Sequence, residues 1–450
     1  MVSGIINWFL AVFFSFRRIS ITENLKRQPM EFANGHHSDL NSGNHSLLND
    51  KFPGGRDDMF LGEAGFIKKP VRSKTFESLF LFVTSQCNSR CRTCFYSSKI
   101  NEGKDLTFQE IQKLSLTAPE FDKLWISGGE PFLRKDLAEI IELFYVNNRI
   151  RTVNLPTNGI LKDSIDVTVR RLLKSCPDLD IHLNFSIDGF EETHDQVRGI
   201  PGSFQKVICT MEKIEKLYGD NKRLYINVAT VITPDVMNEA ADLGQYLFNR
   251  FNLATHFFET LRGNPRDPSI KCLGREQIAR VHDQVLPLYE LMADRLFGKF
   301  PFLLKGIARM FFIGTIHFMY RLQEKNVDKP CPWGMNCTAG KTTLVVDHDG
   351  AFRSCELRDP VGFIQDHDCN FASVYNSVEM KREIDAVGGG KKANCWCTHG
   401  CWMIASMKFS PRTLLVRIPV MYFRYLRHKH QFPAVTESSI PELKEASMVP

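Results

Sequence analysis

An excess of charge of either sign is nearly absent from this 450-residue chain, in which 57 lysines and arginines against 51 aspartates and glutamates leave a formal net charge of +6. So small a balance gives no reason to expect a nucleic-acid partner. No fixed-period repeat is present, so the chain does not read as a solenoid or a propeller. With 43% hydrophobic and 24% charged residues, it is neither a disordered, a collagen-like nor a polytopic membrane sequence. The early apolar run over residues 5–16 is followed by Arg17 and Arg18 and lacks a small-residue cleavage site. It is also shorter than the ~20 residues a spanning helix needs. A secreted disulfide scaffold is therefore not expected, although 13 cysteines are present. Acidic residues are missing altogether between Ala386 and Thr436.

The cysteines that are present cluster. Cys87, Cys91 and Cys94 form one group; Cys331, Cys337, Cys355, Cys369, Cys395, Cys397 and Cys401 form another. Cys176, Cys209 and Cys272 stand apart and are read as buried small apolar residues. Thiolates gathered for metal in a reducing compartment fit this distribution.

Residues 31–58, rich in Asn, Ser, Gly and His, read as a linker. From residue 76, short β-rich runs alternate with amphipathic stretches: strands are predicted over 78–84, 123–126, 152–155, 181–187, 224–231 and 254–259, and helices over 108–115, 136–145, 164–175, 203–217 and 236–251. Six β/α units make a parallel sheet with right-handed crossovers, and chemistry belongs at the ends of the strands. After about residue 275 the alternation stops. A helix is predicted over 276–296, then an apolar and basic stretch over 301–321, then the second cysteine group. Eight lysines and arginines populate the acid-free stretch, where Leu414, Leu415, Ile418, Met421, Tyr422 and Tyr425 recur at helical spacing as a basic amphipathic face. The expected organisation is an apolar and basic segment over 1–30, a linker over 31–75, an α/β core over 76–270, a helical connector over 271–330, a cysteine-bearing module over 331–405, and a basic amphipathic helix and tail over 406–450.

Cys87, Cys91 and Cys94 directly follow the first predicted strand. Three thiols cannot saturate a [4Fe–4S] cube, so one iron would stay open to a ligand. At 13 cysteines in 450 residues, a triple at this fixed spacing arises by chance roughly 0.01 times. A zinc site and a buried helical stripe are the alternatives. The next strands end in Gly128, Gly129, Glu130 and Pro131, then in Thr157, Asn158 and Gly159, then in Ser186, Asp188 and Gly189 ahead of Arg198. Polar and glycine-rich endings on successive strands suit a bound zwitterion with a nucleoside attached.

These residues resemble the radical SAM superfamily, in which a Cys-x-x-x-Cys-x-x-Cys loop follows the first strand of a partial (β/α)6 barrel; the likeness covers roughly residues 76–265. It implies that Cys87, Cys91 and Cys94 hold a [4Fe–4S] cluster whose open iron binds S-adenosylmethionine. It also implies that Gly128, Gly129, Glu130 and Pro131 contact the methionine amino group, that Ser186 and Arg198 contact ribose and carboxylate, and that backbone near Val231 faces adenine. One departure is Thr93, where the family often has an aromatic residue; here Phe95 and Tyr96 follow the third cysteine instead.

In the second group, Cys337, Gly350 and Cys355 flank a predicted hairpin with an Asp-Gly turn, and Cys395, Cys397 and Cys401 follow at close spacing. This resembles the SPASM and twitch extensions of radical SAM enzymes. It implies an auxiliary [4Fe–4S] cluster held by Cys337, Cys355 and two or more of Cys395, Cys397 and Cys401, with Cys331 in reserve and zinc as the alternative metal. His399 is read as structural support rather than a ligand. The expected fold is α/β, a partial (β/α)6 radical SAM barrel with a C-terminal cysteine-rich SPASM/twitch-like extension.

The implied activity is reductive cleavage of S-adenosylmethionine to a 5′-deoxyadenosyl radical that abstracts hydrogen from a peptide, a small metabolite or a lipid-like substrate, with an oxidative outcome. No catalytic acid or base is assigned. The competing class is a non-catalytic iron–sulfur or zinc protein. A ferredoxin or flavodoxin is the expected reductant and the cytoplasm the expected compartment. The N-terminal segment, the 302–320 stretch and the basic C-terminal face suit peripheral contact with the cytoplasmic face of a membrane, the other reading of the N-terminal segment being a helix docked on its own domain.

Overall fold

The computed structural model describes residues 76–388 and 395–431. The expected N-terminal segment, the linker and the tail beyond residue 431 lie outside the described residues. Six strands run parallel and neighbour one another in chain order: β1 (Ser78–Thr84), β2 (Lys123–Gly128), β3 (Thr152–Thr157), β4 (Asp180–Ser186), β5 (Leu224–Ile232) and β6 (Thr255–Thr260). Both faces of the sheet are covered, which is why β1 is almost entirely apolar. Its Leu79, Leu81 and Val83 enter the core beneath the crossover helices, while Phe82 enters a second core. The crossovers are α1 (Phe108–Thr117), α2 (Leu137–Asn148), α3 (Lys162–Ser175), the pair α4 (Glu191–Arg198) and α5 (Ser203–Tyr218), and α6 (Ala240–Arg250). Thr107 and Glu110 form a reciprocal capping box that starts α1. Helix α4 has no counterpart among the predicted elements because, being short, it buries only His194 and Val197 and shows no apolar period.

The helix predicted over 276–296 is two helices, α7 (Arg275–Val285) and α8 (Leu288–Phe297). Pro287 has no N–H to continue the ladder, which breaks there. The 26-residue α9 (Phe302–Val327) is long and apolar enough to cross a membrane by length and composition alone. In the fold, Phe312, Ile313, Ile316, Met319 and Tyr320 are buried in the second core. Next comes the predicted hairpin. β7 (Thr343–Val346) pairs in parallel with β1, and β8 (Ala351–Arg353) turns back on β7, with Gly350 at φ +87° in the turn, followed by β9 (Gly362–Phe363). The cysteine-bearing hairpin thus extends the barrel sheet, in the order β6-β5-β4-β3-β2-β1-β7-β8-β9.

Helices α10 (Phe371–Tyr375), α11 (Val378–Gly388), α12 (Gly400–Met407) and α13 (Ile418–His428) complete the described chain, α13 being led in by a π-helical turn at Thr413–Arg417. Most of the apolar residues of the expected amphipathic face pack inward: Leu414, Ile418 and Tyr425 are buried, and Met421 and Tyr422 pack on the second core. Gly314 of α9 lets the two helices close up, since a Cβ there would meet the Ile418 carbonyl oxygen at 2.5 Å. Leu415 remains exposed. Two lone cysteines also depart from expectation. Cys176 is buried, but Cys209, on the outer face of α5, and Cys272, in the loop before α7, are exposed.

Candidate active site

The three-cysteine loop leaves the C-terminal end of β1 and is pinned along its length. The Ser85 N–H donates to Asp105 Oδ1 at 2.8 Å, and the Cys87 N–H to Asn101 Oδ1 at 2.9 Å. Asn158, at the end of β3, donates through Nδ2 to Asn88 Oδ1 at 2.7 Å and to Ser89 Oγ at 2.9 Å. The loop also rests on the end of β2: the Gly129 and Glu130 N–H groups donate to the Thr84 and Gln86 carbonyls, both at 2.8 Å. A Cβ on Gly129 would lie 2.1 Å from the Gln86 oxygen, and one on Gly128, at φ +122°, would lie 2.3 Å from the Thr84 oxygen. Only glycine fits this approach. Pro131 begins a 3-10 turn, Pro131–Leu133, in which Pro131 and Phe132 are buried. The Glu130 carboxylate accepts from Thr157 Oγ1 at 2.9 Å and from the Asn158 N–H at 2.8 Å. Burial nevertheless pushes its pKa up to about 7 against those hydrogen bonds.

A buried charge pair faces the loop from β4 and α4. Arg198 Nη2 lies 2.9 Å from Asp188 Oδ2, and Nη1 donates to Cys91 Sγ at 3.6 Å. Asp188 Oδ1 accepts the Val231 N–H at 2.7 Å, so that amide is already occupied. Ser186 is the last residue of β4, half-buried beside Ala229. The guanidinium thus puts a positive charge against the thiols and is itself neutralised from behind.

The second cysteine group comes together in part. The buried thiols of Cys337 and Cys355 and the half-buried thiols of Cys395 and Cys397 each resist ionisation, first because of burial and for all but Cys395 also because of one another; Cys337 is pushed up to about 11 and Cys397 to about 12. Cys401, also at about 12, is raised by burial and then by Glu259. Cys369 is elsewhere, buried in the core beneath the crossover helices. One backbone pattern recurs at both groups: a sulfur accepts the N–H two residues on. It is seen from Ser89 to Cys87 at 3.4 Å, from Leu357 to Cys355 at 3.5 Å and from His399 to Cys397 at 3.5 Å, and likewise at Cys94 and Cys337. Such N–H···S bonds orient a sulfur and stabilise charge on it, as a metal-bound thiolate requires.

Between the two groups lies a polar cluster that the sequence pointed to only through His399. Arg262, just past β6, stacks over the Phe95 ring at 5.1 Å and lies 3.4 Å from Glu356 and 3.7 Å from Glu259. His399 Nε2 is 2.7 Å from Glu356 Oε1. Against burial, His399 and Arg262 hold the Glu356 carboxyl down at about 2. Glu259 Oε2, Arg262 Nε, Glu356 Oε2 and His399 Nδ1 are withdrawn from solvent without a hydrogen-bond partner among the described residues. Of the four residues, Arg262 lines a cavity of about 310 Å³, together with Thr260, Gly263, Leu357, Cys397 and Thr398, the chain neighbours of the other three among them. Glu259 and Arg262 were legible in principle as polar residues ending a barrel strand.

Residues 81–246 match the family model of the radical SAM superfamily. A probable GTP 3′,8-cyclase of Methanocaldococcus jannaschii is 31% identical over 182 residues, covering 39% of this chain and 58% of that protein. A GTP 3′,8-cyclase of Haemophilus influenzae is 34% identical over 137 residues, covering 28% and 41%. The chain thus spans about half the length of these relatives. Among solved structures, a histidine-tagged anSMEcpe with bound AdoMet superposes with a TM-score of 0.50 at 19% identity over 80% of this chain and 97% of that one, a likeness of fold. With three thiols at the mouth of a parallel α/β sheet and residues 81–246 matched by the family model, the chain carries a radical SAM domain, the domain of an enzyme class whose chemistry rests on a [4Fe–4S] cluster and S-adenosylmethionine.

Proposed function

We propose that Cys87, Cys91 and Cys94 hold the [4Fe–4S] cluster that binds S-adenosylmethionine, and that the enzyme removes a hydrogen atom from a substrate carrying a hydrogen-bonding group. The observation that carries this reading is the mouth of the barrel, where three thiols, the Arg198–Asp188 pair and the buried Glu130 meet within one loop system. The donor set fits the cofactors. Burial pushes the Cys87 thiol up to about 11 and raises that of Cys94, so these sulfurs become thiolates when a metal offsets their charge. Glu130, short of a cation, suits the amino group of the methionine. When bound, cluster and S-adenosylmethionine supply the electron and the 5′-deoxyadenosyl radical that takes the hydrogen.

The chain's own residues do the positioning. Arg198 steadies the charge on Cys91, Asp188 holds Arg198 and the end of β5 together, and Asn158 ties the loop to β3. Ser186 and Val231 frame the nucleoside side of the site, and Gly128 to Pro131 its methionine side. The auxiliary [4Fe–4S] cluster is assigned to Cys337, Cys355, Cys395 and Cys397, whose thiols share one neighbourhood; Cys401 belongs to the polar cluster instead. The substrate's polar group is received by Glu259, Arg262, Glu356 and His399, which each keep a buried polar atom without a partner among the described residues. The orphaned atoms at this wall are two carboxylate oxygens, a guanidinium N–H and an imidazole nitrogen, which favours a substrate group that both donates and accepts hydrogen bonds, such as an amide or a hydroxyl. A one-electron donor of ferredoxin or flavodoxin type completes the system.

Anaerobic reconstitution with iron and sulfide, followed by dithionite and S-adenosylmethionine, tests the proposal. 5′-Deoxyadenosine is expected as product. Zinc in place of iron at the first loop, or a reduced cluster whose spectrum ignores added S-adenosylmethionine, would overturn it.

A further inference from the structure

The helix that closes the described chain carries apolar residues on two faces, and only one of them is used in packing. Leu414, Ile418 and Tyr425 turn inward, whereas Leu415, Val416, Val420, Phe423 and Leu426 stand in solvent, Phe423 at 61% exposure. Val416, Val420 and Phe423 follow one another at i, i+4 and i+7, so they form a stripe rather than scattered exceptions. Arg412, Arg424 and Arg427 are exposed around that stripe, as are His428, Lys429 and His430, and the three arginines form no ion pair among the described residues. A second apolar edge lies at the start of α9, where Phe302 is 94% exposed and Leu303 is exposed beside it. The two regions are tied at one corner: Lys305 and Arg309 of α9 pair with Asp294, and Lys429 at the end of α13 reaches Glu290, which Arg309 also approaches.

We propose that this face, the outer stripe of α13 with its arginines, docks on an anionic lipid surface. Apolar side chains entering the acyl boundary and cations meeting lipid phosphates are two separate contributions, and this helix offers both along one side. Charge decides between occupants. The stretch from Ala386 to Thr436 contains no carboxylate, so a second copy of the chain, meeting it across a two-fold axis, would set arginine against arginine. A bilayer of anionic lipid answers every cation with a phosphate. The apolar segment over 5–16, followed by Arg17 and Arg18, repeats the same composition elsewhere in the chain.

The test is co-flotation of the full chain, anaerobically reconstituted, with vesicles of phosphatidylcholine alone or mixed with phosphatidylglycerol, at low and high salt. Flotation with the anionic vesicles is expected, weakened by salt. Val420→Ser with Phe423→Ser lowers the partition coefficient roughly tenfold or more. Arg424→Glu with Arg427→Glu lowers it roughly twentyfold or more and removes most of the salt dependence. All four positions are exposed, so circular dichroism and 5′-deoxyadenosine formation stay at wild-type levels. Three results would each overturn the proposal: no flotation at either salt, flotation that survives both pairs of substitutions undiminished, or a solution dimer that Val420→Ser with Phe423→Ser dissociates.

Discussion

Replacing Arg198 by methionine removes the guanidinium between the first cysteine loop and the end of β4. The side chains of Arg198 and Asp188 are 11% and 0% exposed, with 2.9 Å between their charged atoms. At an effective dielectric of about 20, their attraction over 2.9 Å is about 6 kcal/mol before desolvation. Deleting one member of so buried a pair leaves the other uncompensated, which costs about 3–5 kcal/mol. Burial already raises the Asp188 pKa and Arg198 opposes it, so removing the arginine leaves a buried carboxylate that keeps the Val231 N–H but has lost its counter-charge. The assay is urea unfolding of the iron-free protein, for Arg198→Met alone and combined with Asp188→Asn, which keeps an acceptor for the Val231 N–H. The double variant is expected to be more stable than the single one by about 1–3 kcal/mol, because it has no orphaned charge. A single variant within about 1 kcal/mol of wild type, or a double variant less stable than the single, would refute the idea that the pair is a buried unit.

Serine at Cys87, Cys91 or Cys94 is expected to remove the iron of the first site and all 5′-deoxyadenosine, read by iron analysis and chromatography. At the second site, Cys397→Ser is expected to lower the bound iron, whereas Cys401→Ser leaves it unchanged; equal loss in both would redraw the ligand set. Gly129→Ala forces a Cβ onto the Gln86 carbonyl, 2.1 Å away, and is expected to destabilise by about 1–3 kcal/mol and to slow iron uptake by the loop. Glu130 titrates at about 7 when folded, above the ordinary carboxyl value of 4.5, so its contribution to stability is whole below about 4.5 and is lost as pH rises through 7. Unfolding free energy in the iron-free protein is therefore expected to fall by about 3 kcal/mol more across that window than in Glu130→Gln, as measured by urea titrations at several pH values.

The six barrel strands were legible because each is an apolar run buried on both faces, such as 78–84, bounded by polar turns. The first cysteine loop stood out because cysteine is rare and its spacing fixed. What the sequence hid depends on contacts between distant residues. Nothing local to Leu414, Ile418 and Tyr425 tells that α9 covers them and leaves Val420 and Phe423 outside. Cys209 and Cys272 are exposed because thiols are small enough to sit on either side of a surface. The polar cluster draws Arg262 from the barrel and Glu356 and His399 from the extension, a meeting that no local motif announces.

The loop after the third cysteine is completed from far along the chain. The Tyr96 hydroxyl meets His348 Nδ1 at 2.6 Å across 252 residues, and Lys99 meets Asp349 at 2.9 Å across 250. During synthesis the barrel's first strand and its thiols leave the ribosome long before that hairpin exists. At the usual pace of translation, the interval for 252 residues is roughly 10–50 s. For that time the turn holding Tyr96 and Lys99 lacks its C-terminal partners and β1 has no neighbour on its β7 side. The thiol loop itself is held by Asn101, Asp105 and Asn158, all of which are made early, so what the late hairpin adds is the closing of the sheet edge beside that loop.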